Sequence, residues 1–279
     1  MSPNPVLLAT AAVLAFGLAL PAEAGLFGKK KRASTDAATA VAQPPAPQRA
    51  SRELRAQAER LDPLARAAFW TAEVAADPTD LEAAVRLSAA LRAMGRWEEA
   101  VAAAERIAIQ KPDAVEPQLE IARAHLGRGQ GFYALEPLRK AAALAPGDWR
   151  PRSLLGVAYD QTDRPQDARA AWTAALKLSP ENTAVLTNLG MSYAASGERE
   201  QAIDHLQRAA ARPDATPQTR LNLALVLGLA GRAEEAERLI RDQLPPQEAE
   251  ANLAWLRRAA AGPTPATTRS WDALKAATP

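Results

Sequence analysis

Few residues in this chain are spaced for chemistry. There are two histidines, His125 and His205. A helical metal site needs a second ligand about one turn away, and neither histidine has one. Cysteine is absent, which removes thiolate nucleophiles, disulfides and cysteine-based zinc sites. Gly127-Arg128-Gly129-Gln130-Gly131 has the glycine density of a phosphate-cradling loop, yet no strand precedes it and no Lys-Ser/Thr pair closes it. Glu98-Glu99 and Glu234-Glu235 are adjacent carboxylates, each expected at the start of a helix, where negative charge complements the helix dipole. His125 is expected to be packed and His205, beside Asp204, to lie on a solvated face. These residues predict no catalytic site, no cofactor and no metal.

The elements that carry these residues follow from composition. Hydrophobic residues are 48% of the chain but aromatics only 5%. The apolar balance is largely alanine, the strongest helix former, and β-branched runs are missing, so the fold class is all-α. Thirty-four basic residues face 32 acidic ones, for a net charge of +2. No broad basic field exists to hold nucleic acid. The six tryptophans are scattered and not interleaved with basic clusters, unlike a base-stacking platform.

Internal repetition specifies the architecture. Pro112, Pro146 and Pro180 recur every 34 residues, as do Ala100, Ala134, Ala168, Ala202 and Ala236. Gly95, Gly129, Gly197 and Gly231 share the grid, with Asp163 in the remaining slot. Leu155-Gly156 and Leu189-Gly190 are followed by Tyr159 and Tyr193, and the second-helix alanines are followed by Trp172 and Leu206. Ser88, Ala122 and Ala224 hold the small-residue position elsewhere. This pattern resembles the tetratricopeptide-repeat (TPR) family, in units 81–114, 115–148, 149–182, 183–216 and 217–250. The resemblance implies a right-handed superhelical TPR solenoid of antiparallel helix pairs with N- and C-terminal capping helices.

The flanks complete the layout. Val6 to Leu20 is an uncharged run of 15 residues, shorter than the roughly 20 a spanning helix needs. Ala22-Glu23-Ala24 supplies a small-x-small cleavage pattern, so 1–24 is expected to be a signal peptide and the mature protein periplasmic. Lys29-Lys30-Lys31-Arg32 follows the apolar run and favours the alternative, an inner-membrane anchor over 6–20; an uncleaved N-terminus would be the sole membrane contact. Residues 25–50 read as a basic, Pro/Ala-rich disordered linker and 51–80 as a helix pair. Ser51 to Leu61 would be the first helix, with Leu54, Ala58 and Leu61 on one face, and Asp62-Pro63 would open the second. A capping helix over 246–261 carries Ala249, Leu253 and Leu256 on one face, and 262–279 is a loose tail.

The TPR resemblance implies that the first helices line a concave groove for protein or peptide partners. At unit position 6 stand Arg86, Glu120, Leu154, Asn188 and Asn222. Asn188 and Asn222, one period apart, offer a donor and an acceptor each to the backbone of an extended peptide. Arg123, Arg150 and Asp160 are further groove candidates, and Met191 and Leu225 make its C-terminal half more apolar.

Several stretches resemble a narrower family, the TadD-type assembly proteins of the tight-adherence (Flp) pilus. They are Asp62-Pro63-Leu64 with Arg66-Ala67-Ala68-Phe69-Trp70 and Asp77-Pro78-Thr79-Asp80, then Ala90-Leu91-Arg92-Ala93-Met94-Gly95-Arg96. The others are Asn222 to Arg232, Asp242-Gln243-Leu244-Pro245-Pro246 and Asn252-Leu253-Ala254-Trp255-Leu256-Arg257. That resemblance implies a non-catalytic envelope scaffold supporting pilus assembly, with pilus secretion components as partners. Members are often lipoproteins, but this sequence has no cysteine to carry a lipid. The alternatives are a periplasmic adaptor for another envelope complex and a module that presents substrate to a partner enzyme.

Overall fold

A computed structural model describes residues 49–261. The expected signal peptide over 1–24, the linker up to residue 48 and the tail over 262–279 lie outside the described residues. Within them are thirteen helices and no strand: α1 Arg52–Ala58, α2 Pro63–Ala76, α3 Leu81–Ala93, α4 Trp97–Gln110, α5 Val115–Gly127, α6 Gly131–Leu144, α7 Trp149–Gln161, α8 Pro165–Leu178, α9 Thr183–Ala195, α10 Arg199–Ala210, α11 Pro217–Leu229, α12 Ala233–Gln243 and α13 Pro246–Ala261. The first helices α3, α5, α7, α9 and α11 start 34 residues apart, and the second helices from α2 to α12 keep the same step. Helix α2 therefore occupies the second-helix slot of a unit preceding the five expected, and Pro78 extends the proline grid by one.

Each helix packs on the next in the chain. The first helices also touch one another, α3 on α5, α5 on α7, α7 on α9 and α9 on α11, whereas consecutive second helices do not. Contact on one side and separation on the other bends the stack, with first helices on the concave face.

Local chemistry sets the helix ends. Side chains of Asp80, Asp148, Asn182 and Thr216 accept hydrogen bonds from the opening amides of α3, α7, α9 and α11. Within each unit the turn between helices passes through a residue of positive φ, at Gly95, Gly129, Asp163, Gly197 and Gly231. The following amide then bonds back across the turn, as Arg96 N–H to Leu91 O at 2.9 Å and Arg232 N–H to Leu227 O at 2.8 Å.

Packing within a unit depends on one close approach. Ala100, Ala134, Ala168, Ala202 and Ala236 are all fully buried. Opposite them stand Ser88, Ala122, Gly156, Gly190 and Ala224. The partner one turn beyond the alanine is large where that residue is Gly or Ala and small where it is Ser. Gly156 faces Trp172, Gly190 faces Leu206, and Ser88 lies beside the stretch holding Ala104. A Cβ on Gly156 would lie 2.3 Å from the indole nitrogen of Trp172, which donates to Ser153 O at 3.0 Å.

The N-terminal end departs from the expected pattern. Helix α1 stops at Ala58, not Leu61, and of the expected apolar face only Ala58 is buried, while Leu54 is 51% and Leu61 42% exposed. The other buried residue of α1 is Arg55, whose guanidinium bonds Glu73, Asp80 (2.6 Å) and Glu82 (3.1 Å). An ionic cluster docks α1, so the apolar periodicity of a seven-residue helix is overridden. At the other end α13 packs on α11 and α12 with Ala249, Leu253 and Leu256 buried.

The Gly156 contact makes a testable case. Gly156→Ala inserts a methyl into the Trp172 ring and is expected to cost about 1–3 kcal/mol, outweighing alanine's better helix propensity of about 1 kcal/mol. Gly156→Ala with Trp172→Leu recreates the Ala122 and Leu138 combination of the preceding unit. Urea denaturation of the two single variants and the double variant is expected to show the double more stable than the summed singles.

Candidate functional site

The concave face has a hollow over α3 and α5, a concavity of about 420 Å³. Its apolar part is Leu81, Val85 and Ala89, spaced one turn apart on α3. Around them stand Glu82, Arg86, Glu116, Glu120 and Arg123. Of the candidates named from the sequence, the structure brings Arg86, Glu120 and Arg123 together here. Leu81, Val85, Ala89, Glu82 and Glu116 were not among them. Their signal is that α3 is apolar on two faces, since Ala83, Ala84, Leu87, Ser88, Ala90 and Leu91 already fill its core side.

The charges of this hollow are largely paired. Glu120 is buried and accepts from Arg123 at 2.6 Å and from Arg92 at 3.3 Å. Arg86 reaches Glu59 of the preceding turn at 3.2 Å. Arg150 bridges Glu116 (2.8 Å) and Asp148 (2.7 Å), and these carboxylates, Asp148 foremost, raise its guanidinium above the ordinary value. Burial alone would push the Asp148 carboxyl up. Hydrogen bonds from the Arg150 side chain and amide, with the charges of Arg150 and Arg123, outweigh it and hold the carboxyl below its ordinary value.

The remaining candidates lie further along the concave side. Asn188 on α9 is half-buried, and its amide makes no side-chain hydrogen bond to a described residue. Asn222 on α11 is buried and accepts from Gln218 at 2.9 Å. Leu154 and Asp160 on α7 and Leu225 on α11 are half-buried. Met191 is buried in the core of the C-terminal units, which leaves little of it for a partner.

The residues with reactive side chains take structural places. His125 stacks on Tyr133 at 5.6 Å, with Nδ1 3.2 Å from Gln130 Oε1. His205, expected on a solvated face from its neighbour Asp204, is instead half-buried. It stacks on Tyr193 at 5.5 Å, its Nδ1 is buried without a hydrogen-bond partner, and burial lowers its pKa. Arg128 to Gln130 form the turn between α5 and α6. Glu98 pairs with Arg128 and Glu99 with Arg96. Among the described residues no group of three His, Cys, Asp or Glu side chains could hold a metal ion, and no helix is long and apolar enough to cross a membrane.

This geometry is that of a helical solenoid with a concave surface lined by first helices. The tetratricopeptide-repeat profile matches residues 185–218. No curated protein matches the chain in sequence. Among solved structures, TTC0263, a thermophilic TPR protein of Thermus thermophilus, is 25% identical with a TM-score of 0.53, over 63% of this chain and 98% of that one. PilF of Pseudomonas aeruginosa is 20% identical, TM-score 0.54, over 64% and 86%. The APC/C hetero-tetramer Cut9–Hcn1 is 20% identical, TM-score 0.62, over 72% of this chain and 40% of that one. The fold is an all-α TPR solenoid, a scaffold suited to protein–protein interaction.

The ionic cluster at the start of the groove gives a pH test. Burial would raise the Asp80 carboxyl, but hydrogen bonds from Arg55, the Ala83 amide and Arg49, with the charge of Arg55, hold it below its ordinary 3.8. The folded state therefore binds this proton more weakly than the unfolded chain. Its contribution to stability is complete above the ordinary pKa and is lost as pH falls through 3.8 towards the lowered folded value. Asp80→Asn is expected to cost about 3–5 kcal/mol at neutral pH by leaving Arg55 under-compensated. Thermal melts from about pH 7 to pH 3 should show the variant and parent converging in acid.

Proposed function

We propose that this chain is a non-catalytic scaffold whose concave surface holds an extended segment of a partner protein. The observation that carries this is the hollow over α3 and α5, on the side where successive first helices touch. An apolar strip of Leu81, Val85 and Ala89 is edged by ion pairs, and further along lies Asn188, an amide with its hydrogen-bonding capacity unspent. An extended segment presents unpaired main-chain N–H and C=O groups, which an amide can satisfy from both sides. Nothing in the hollow is arranged to break or form a covalent bond.

The stretches at 62–80, 90–96 and 222–257 that resemble TadD-type proteins support a finer assignment: an exported envelope scaffold that assists assembly of a tight-adherence pilus, with pilus secretion components as partners. The likeness to PilF bears on the fold alone.

Affinity purification of the tagged full chain from its own envelope fraction tests both levels. Recovery of the pilus secretin and its associated components supports the finer assignment. Recovery of a different envelope complex removes it and leaves the scaffold. Asn188→Ala is expected to weaken capture up to about tenfold, since a lost hydrogen bond contributes about 0.5–1.5 kcal/mol, with helical circular dichroism unchanged. Asn222, buried and bonded to Gln218, is expected to matter less. Unchanged capture removes Asn188 from the binding surface.

A further inference from the structure

Away from the concave groove, the separation of consecutive second helices leaves clefts on the opposite side of the stack. One is a hollow open to solvent along one edge. Between α2 and α4, over α3, lies a space of about 530 Å³ lined by Val74, Pro78, Ala84, Leu87, Ile107 and Ile109, among others. Position 4 of the repeat explains the opening. There the first unit has Ala84, where later units carry Gln118, Arg152, Leu186 and Arg220. Gln118 and Leu186 are buried at 6% and 0% exposure, so the long side chain closes the joint in those units. The alanine leaves it open.

The lining is chemically simple. Ile109, at 81% exposure, is a large aliphatic residue left at the edge. Arg106 is the one charged residue in the lining, and it forms no ion pair with a described residue. Thr71 spends its hydroxyl on Ala67 O at 2.7 Å. Gln110 is the remaining polar side chain. A peptide main chain laid here would lose water from its N–H and C=O groups and find almost no replacements, which is costly. An alkyl chain has no such groups. The volume lies within the range of small-molecule pockets, which pair an apolar lining with a few orienting polar groups.

We propose that this hollow binds a free single-chain anionic amphiphile of the fatty-acid class. The alkyl chain lies against Val74, Leu87, Ile107 and Ile109, and the carboxylate meets Arg106. The site is independent of the concave groove, so it stands or falls separately from the partner-binding function.

Isothermal titration of the full chain with dodecanoate, below its micelle concentration, tests this. One saturable site is expected, with dodecyltrimethylammonium at least tenfold weaker. Arg106→Gln should weaken dodecanoate about tenfold and leave the neutral dodecyl maltoside unchanged. Ala84→Leu, which restores the long residue of the later units, should abolish binding. Ala75→Phe at the exposed edge provides a second block that does not disturb the core, and circular dichroism checks both for folding. Absence of dodecanoate binding overturns the proposal. So does equal affinity for the cationic analogue, or binding that survives both blocking variants. Saturation by phosphatidylglycerol vesicles without binding of monomeric dodecanoate overturns it in favour of a membrane surface.

Discussion

The structure depends on the contact between the two helices of a unit. Their backbones approach closely because a small residue on the first helix meets an alanine on the second, at Ser88 and Ala100, Ala122 and Ala134, Gly156 and Ala168, Gly190 and Ala202, Ala224 and Ala236. All five alanines are solvent-free. Burial of such small side chains contributes little area each, so the gain lies in what the close approach allows: dense packing of neighbouring Trp172, Leu138 and Leu206. Contact between successive first helices then stacks the units side by side.

The two ends of the array are sealed by different physics. At the C-terminus α13 places Ala249, Leu253 and Leu256 against α11 and α12, with Leu256 pressed on Gly228. At the N-terminus α1 is too short to bury much, and the seal is Arg55 among Glu73, Asp80 and Glu82, joined by Arg49 on Asp77 and Asp80. Buried ion pairs hold geometry more than they add stability, because desolvation offsets much of the attraction. That suits an edge that must end the stack in one register. It also sets Glu82 at the mouth of the groove in a fixed place.

Much of this was legible in the chain. Alanine, proline and glycine at 34-residue steps located helices, turns and the first-helix face, because each of these residues answers a backbone or packing demand that recurs with every unit. What escaped depends on contacts distant in sequence. Arg55 finds its carboxylates on α2 and α3, and no local pattern in α1 announces that. His205 is half-covered by Tyr193 of the preceding helix, so its acidic neighbour Asp204 misled. The apolar strip of α3 was hidden because helix periodicity assigns one apolar face to the core, and α3 has two.

The inverse matching of Gly156 to Trp172 and Gly190 to Leu206 has a consequence for descent. In each case both members of the pair sit in the same 34-residue unit. A unit copied or excised as a whole carries its own volume correction with it. Recombination between units at equivalent turns therefore leaves each internal core intact and exposes only the joints between units to mismatch. Lengthening such an array asks for new surfaces between neighbours, never for a new interior.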